Sequence, residues 1–166
     1  MLRPTRDGKP SPWDNNELSR CLPSITFRDK MDLFLGSQKV ELWYFGTGHT
    51  TGDIVVYFPE AKTAFLGDQF FGTRPQLIHA YKGGNAFAHV ATLEKMLATL
   101  DAVTFCSGHS EPADRNSILQ HITQMKAMQE KVRSLVGQSK SLADIKPAFP
   151  DNEAALVETL YHELKR

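Results

Sequence analysis

Cysteine is scarce in this chain: Cys21 and Cys106 are the only two among 166 residues, and they form no Cys-x-x-Cys pair. That spacing excludes a disulfide framework and a thiolate zinc knuckle. Charge of one sign is missing too, since 19 Lys and Arg balance 19 Asp and Glu. No global field therefore draws the protein to nucleic acid or to an anionic membrane, and neither is expected as a partner. No apolar run approaches the roughly 20 residues that span a bilayer. The first ten residues are charged and lack the apolar segment of a secretory signal. Histidine is absent before His49.

What is present describes a globular domain. Hydrophobic residues make up 41% and charged residues 23% of a chain long enough for its own core. Residues 1–21, with three prolines, Gly8 and scattered charges, show no period and read as a flexible lead-in, with a helical turn over 17–22. Residues 22–166 read as one domain. Short strands are expected over 22–28, 31–35, 40–45, 53–58 and 63–66, the last two joined as an antiparallel hairpin through Pro59 to Lys62. The 40–45 run is apolar on both faces, which predicts cover on both.

Gly72, Pro75, Gly83 and Gly84 make 69–85 an irregular loop of the length that is usually functional or disordered. An amphipathic helix over 86–100 follows, with Phe87, Val90, Leu93, Leu97 and Leu100 on one stripe. Then come a buried strand over 102–106 and a helix over 114–136 that ends at Gly137. A short helix over 141–145 capped by Ser141, and a last helix buried through Leu156, Val157, Leu160, Tyr161 and Leu164, read as an appendage over 141–166. The class is α+β, mostly antiparallel, with helices on the outer face.

Three apolar runs end in glycine-flanked turns that present a metal-ligand type: His49 in Gly46-Thr47-Gly48-His49-Thr50, Asp68 after Gly67, and His109 after Gly108. Taken singly, each has an ordinary explanation as a turn histidine, an Asx turn or a helix entrance. Their shared address at strand ends, where ligands gather in open sheets, makes them a candidate site. Imidazole and carboxylate suit zinc, manganese or iron, and spacing alone does not choose among them. His79, with Tyr81 and Lys82, lies in the long loop and is a candidate to reach substrate. His89 and His121, on helices, are expected to pack or to face solvent, and His162 to be a surface residue.

At Gly48-His49-Thr50-Thr51-Gly52-Asp53, Phe65-Leu66-Gly67-Asp68 and Ser107-Gly108-His109-Ser110 the chain resembles the metallo-beta-lactamase-fold hydrolase superfamily, over about residues 22–136. That fold is a four-layer αββα sandwich of two similar halves. The resemblance implies that His49 ligates a first metal and His109 a second, with Asp68 bridging both as a catalytic residue as well as a ligand. It implies two zinc ions in an intact parent, and attack of hydroxide on an ester, thioester, amide, lactone or phosphodiester of a small-molecule substrate. An iron-dependent sulfur dioxygenase is an alternative within the family, and a noncatalytic interaction module one outside it. The family's His-x-His-x-Asp-His cluster belongs upstream of the His49 motif and is not there. On this resemblance the chain is the carboxyl-terminal half of such a sandwich, holding metal weakly. Its uncovered sheet face is then expected to drive homodimerisation or association with the missing half.

Overall fold

The computed structural model describes residues 21–165. Six strands form one sheet in chain order: β1 (Lys30–Leu35), β2 (Gln38–Trp43), β3 (Val55–Phe58), β4 (Thr63–Gly67), β5 (Thr104–Ser107) and β6 (Ala113–Asp114). Every neighbouring pair is antiparallel except β4 and β5, which are parallel. A parallel pair needs a crossover, and α1 (Ala86–Thr99) supplies it. The remaining helices are α2 (Arg115–Gly137), α3 (Leu142–Ile145) and α4 (Ala154–Leu164). The class is α+β, as the sequence leads one to expect. No helix among the described residues is long and apolar enough to cross a membrane.

The strand over 22–28 does not form. Pro23 has no N–H to give a ladder, and β1 is the edge strand of the described sheet. The expected lead-in, and most of its helical turn, lie outside the described residues. Several boundaries also shift. The third strand begins at Val55 because the Asp53 carboxylate is engaged by the turn before it, accepting from Thr50 N at 2.6 Å and from Thr50 Oγ1 at 2.9 Å. Gly137 is still helical, and the left-handed residue is Ser139 at φ 61°.

Alternation divides the sheet into two unlike faces. Val55, Tyr57, Ala64, Leu66 and Phe105 are buried in one cluster with Val90, Leu93 and Leu97 of α1, Ile118 and Ile122 of α2, and Leu156 and Leu160 of α4. All the helical cover therefore lies on this face. Asn85 caps α1 by accepting from Ala88 N at 2.6 Å, and Asp114 caps α2 by accepting from Ser117 N at 2.8 Å. The segment expected as an appendage is part of this layer. The Glu163 carboxylate near the end of α4 accepts from Ala86 N at 2.7 Å and Phe87 N at 3.3 Å, at the first turn of α1.

The opposite face carries Leu33, Leu35, Leu42, Val56, Phe65 and Cys106, aligned by the pairings Leu42 with Val56, Val56 with Phe65 and Phe65 with Cys106. Here Phe65 is 45% and Leu35 64% exposed. Within 40–45 itself the expected two-sided cover is met in part on this face, since Val40, opposite Leu33, is 3% exposed and Leu42 is half-buried, while the neighbouring strands stay open there. Cys21 and Cys106 are both free.

Candidate metal centre

β2, β4 and β5 run in the same direction, so the turns that follow them leave the same edge of the sheet. Beyond β2 the chain passes Gly46, whose φ of 143° lets Thr92 approach; a β-carbon there would lie 2.8 Å from Thr92 Oγ1. That hydroxyl donates to the Thr47 carbonyl at 2.7 Å and ties the turn to α1. His49 follows, only 4% exposed. Its backbone carbonyl accepts from His79 N at 2.8 Å, and its Nδ1 lies 2.7 Å from the Leu77 carbonyl oxygen.

The second turn leaves β4 at Gly67, in the left-handed region at φ 53°. It releases Asp68. The third leaves β5 at Ser107, where Gly108 N donates to Gly67 O at 3.0 Å and His109 N to Ser107 Oγ at 3.0 Å. A β-carbon at residue 108 would come within 3.0 Å of Asp68 Oδ1, so glycine lets the two turns meet.

The result is a carboxylate between two imidazoles. His49 Nε2 lies 3.5 Å from Asp68 Oδ2, and His109 Nε2 lies 3.0 Å from Asp68 Oδ1. Phe71 closes one side, stacked on His109 at 4.7 Å and tilted against His49 at 5.8 Å. His49 is sealed, whereas the side chains of Asp68 and His109 stay 42% and 41% exposed. The pocket is therefore open on the side of Asp68 and His109.

The tautomer of His49 decides what this arrangement can hold. A carbonyl oxygen only accepts, so the 2.7 Å contact puts a proton on Nδ1, and in the neutral ring the Nε2 lone pair then faces Asp68. A lone pair facing a carboxylate repels it unless a cation lies between. Two ligands of one tetrahedral ion at about 2.0–2.1 Å each are roughly 3.3 Å apart, close to the 3.5 Å seen here. The donor types and directions thus fit divalent ions. Their number does not suffice, because each ion would receive one imidazole and one shared carboxylate oxygen, and a catalytic zinc usually has three protein ligands. Accordingly, no group of three or more His, Cys, Asp or Glu among the described residues is arranged to hold a metal ion.

The loop residues divide. The His79 ring lies 4.4 Å from that of His49, Tyr81 is 5.1 Å from His79, and Lys82 Nζ sits 5.6 Å from the Tyr81 ring. The three lead outward in a row, and only His79 touches the candidate centre. His89 and His121 pack inside, edge to face at 5.8 Å. His162 is exposed, 3.8 Å from the Glu158 carboxylate on the same helix face. Gln69 and Gln76 were not singled out in the sequence, yet both are buried behind the site. Gln69 Oε1 lies 3.1 Å from His89 Nδ1, and Gln76 Nε2 donates to the Asp68 carbonyl at 2.9 Å.

Two glycines near His49 make a matched test. A β-carbon at residue 84 would lie 2.2 Å from the His49 carbonyl oxygen, which is backbone, while one at residue 52 would meet nothing within 4 Å. Gly84→Ala is expected to destabilise the fold by about 1–3 kcal/mol through overpacking. Gly52→Ala is expected to stabilise it by about 0.4–1 kcal/mol through the unfolded chain. Urea unfolding of both variants checks the contrast, and equal effects would contradict the packing of 83–85 against the His49 turn.

Fold and geometry together define an α+β protein that gathers His, Asp and His at one sheet edge. The metallo-beta-lactamase superfamily model matches residues 3–109, and the chain belongs to that superfamily. A metallo-beta-lactamase from Pontibacter korlensis is similar with a TM-score of 0.56 and 19% identity, over 63% of this chain and 49% of that one. The stereoselective inverting sec-alkylsulfatase Pisa1 from Pseudomonas sp. is similar with a TM-score of 0.71 and 11% identity, over 86% of this chain and 26% of that one. At these identities the likeness is one of fold. The chain spans about half the length of the first structure and about a quarter of the second. Comparison with curated proteins finds no match.

Proposed function

We propose that this chain supplies one side of a two-metal hydrolase centre, in which His49 holds one ion, His109 the other, and Asp68 bridges them. The observation that carries the reading is the split of one carboxylate between two imidazoles, one oxygen to each, with the His49 lone pair fixed toward it. Zinc, or iron or manganese on the same donors, would supply hydroxide near neutral pH and stabilise charge developing on an ester, thioester, amide, lactone or phosphodiester. Phe71 shields the pair from water on one side, and the exposed edge of Asp68 and His109 leaves room for a small-molecule substrate.

Because the donors here are too few, the remaining ligands come from a second polypeptide segment bearing the His-x-His-x-Asp-His cluster. Its place is the apolar sheet face of Leu33, Leu35, Val56 and Phe65. A second copy of the chain would cover the same face but bring only another incomplete set. The isolated chain is therefore expected to bind zinc weakly and to show no turnover on a panel of the ester classes above. Joining it with a polypeptide that carries the cluster should yield about two zinc per complex, and hydrolysis. Tight stoichiometric zinc with turnover in the chain alone would refute the proposal. The exposure of that face also favours a second reading, a noncatalytic interaction module. His49→Ala and Asp68→Ala separate the two, since a module keeps its partner binding and a metal centre loses its metal.

A further inference from the structure

The sharpest polar convergence behind the site belongs to a residue with no ligand chemistry of its own. Gln76 is 3% exposed, and its amide nitrogen lies 2.9 Å from the Asp68 carbonyl and 3.1 Å from the Leu77 carbonyl. The Leu77 carbonyl is also the acceptor that sets the His49 ring, at 2.7 Å. Resting on the metal-centre reading above, we propose that Gln76 is the positioning residue that locks Asp68 and His49 into register, so that bridging carboxylate and imidazole lone pair face each other.

Three points support this. An amide NH2 has two hydrogens, and both are used here, one on the Asp68 carbonyl and one on the Leu77 carbonyl that also accepts from the His49 ring. Flipping the amide would set its oxygen against two carbonyl oxygens, so the orientation is fixed by repulsion as well as attraction. Further, Gln76 Oε1 is buried with no hydrogen-bond partner. An unpaired buried acceptor is unfavourable, so the residue is not satisfied as a spacer would be, and the nitrogen is the end that matters. Leu77 O, with two lone pairs, accepts from both Gln76 Nε2–H and His49 Nδ1–H, so one acceptor links the two residues.

The test is nitrogen-15 NMR of the full chain with labelled histidine, read alongside zinc affinity by competition with a chromophoric chelator. In the native chain His49 should carry its proton on Nδ1. Gln76→Met, which keeps bulk and removes both donors, should mix the two tautomers of His49 and weaken zinc about 10–100-fold, as loss of an outer partner of a metal ligand does. Gln76→Glu, placing a carboxylate against two carbonyls, should do the same and covers the case in which the methionine variant fails to fold. A native His49 protonated on Nε2, or variants with the native tautomer, would overturn the proposal. Asp68→Ala separates the failures: if it leaves zinc affinity unchanged, the metal centre falls, while the tautomer still reports on Gln76.

Discussion

Acidification from pH 7 to pH 4 is expected to unfold the domain through His89 and His121, two side chains outside the candidate centre. Both are buried in the layer between sheet and helices, and each has an Nε2 atom without a partner. Burial first, then the neighbouring His121 and His49, pushes the His89 imidazole down to about 3, and burial pushes His121 down to about 4. Phe70 is the other ring against His121, at 5.3 Å, and it offers no charge to offset a proton. Both residues are therefore neutral in the folded state and basic in the unfolded one, where the ordinary value is 6.5. Their contribution is complete above pH 6.5 and lost as pH falls, through the window from 6.5 to about 4 for His121 and on to about 3 for His89.

At pH 4 the unfolded chain gains roughly 3 kcal/mol from each, taking 1.36 kcal/mol per pKa unit. Set against a typical total of about 5–15 kcal/mol, the pair is enough to bring the domain to its unfolding transition. Carboxylates held low by partners, such as Asp114 at its helix cap and Glu158 beside Lys146, start from 3.8 and 4.5, so their loss begins only in the lowest part of this window. Urea unfolding at several pH values should show a steep acid limb in the native chain and about half that slope in His121→Phe. Parallel limbs would show that His121 is not the source.

Much of this architecture is legible in the residues. The apolar runs, the hairpin turn at Pro59 to Lys62 and the stripes of α1, α2 and α4 are short-range patterns, and the strand-end addresses of His49, Asp68 and His109 follow from them. What stays hidden is set through space. The Asp53 carboxylate pulls the strand start to Val55 because it caps a turn that no period announces. Glutamine in a loop reads as solvated, yet Gln69 and Gln76 are buried by partners at 20 and 8 residues' separation. The helices 141–145 and 154–164 look detachable in a linear reading. Ile145, Leu156, Val157 and Leu160 are buried in the common core, and Glu163 adds a cap on α1 from 77 residues away.

Removing Asp68 should separate the stability of the fold from the stability conferred by metal. Its side chain is 42% exposed and touches only the two imidazoles by charge, so Asp68→Ala without metal is expected to change unfolding by no more than about 0.5 kcal/mol. In the native chain, zinc at ten times its dissociation constant should add about 1.4 kcal/mol, and the melting temperature should rise by roughly 3–6 °C. In the variant that rise should vanish, because two imidazoles remain with no anion to balance the ion. Asp68→Asn sharpens the point by keeping the shape and the acceptor while deleting the charge. It should lose most of the zinc-dependent rise, which a role in packing alone would leave intact. An undiminished rise in both variants would mean that zinc binds elsewhere and that the convergence at the strand ends is a hydrogen-bonded turn.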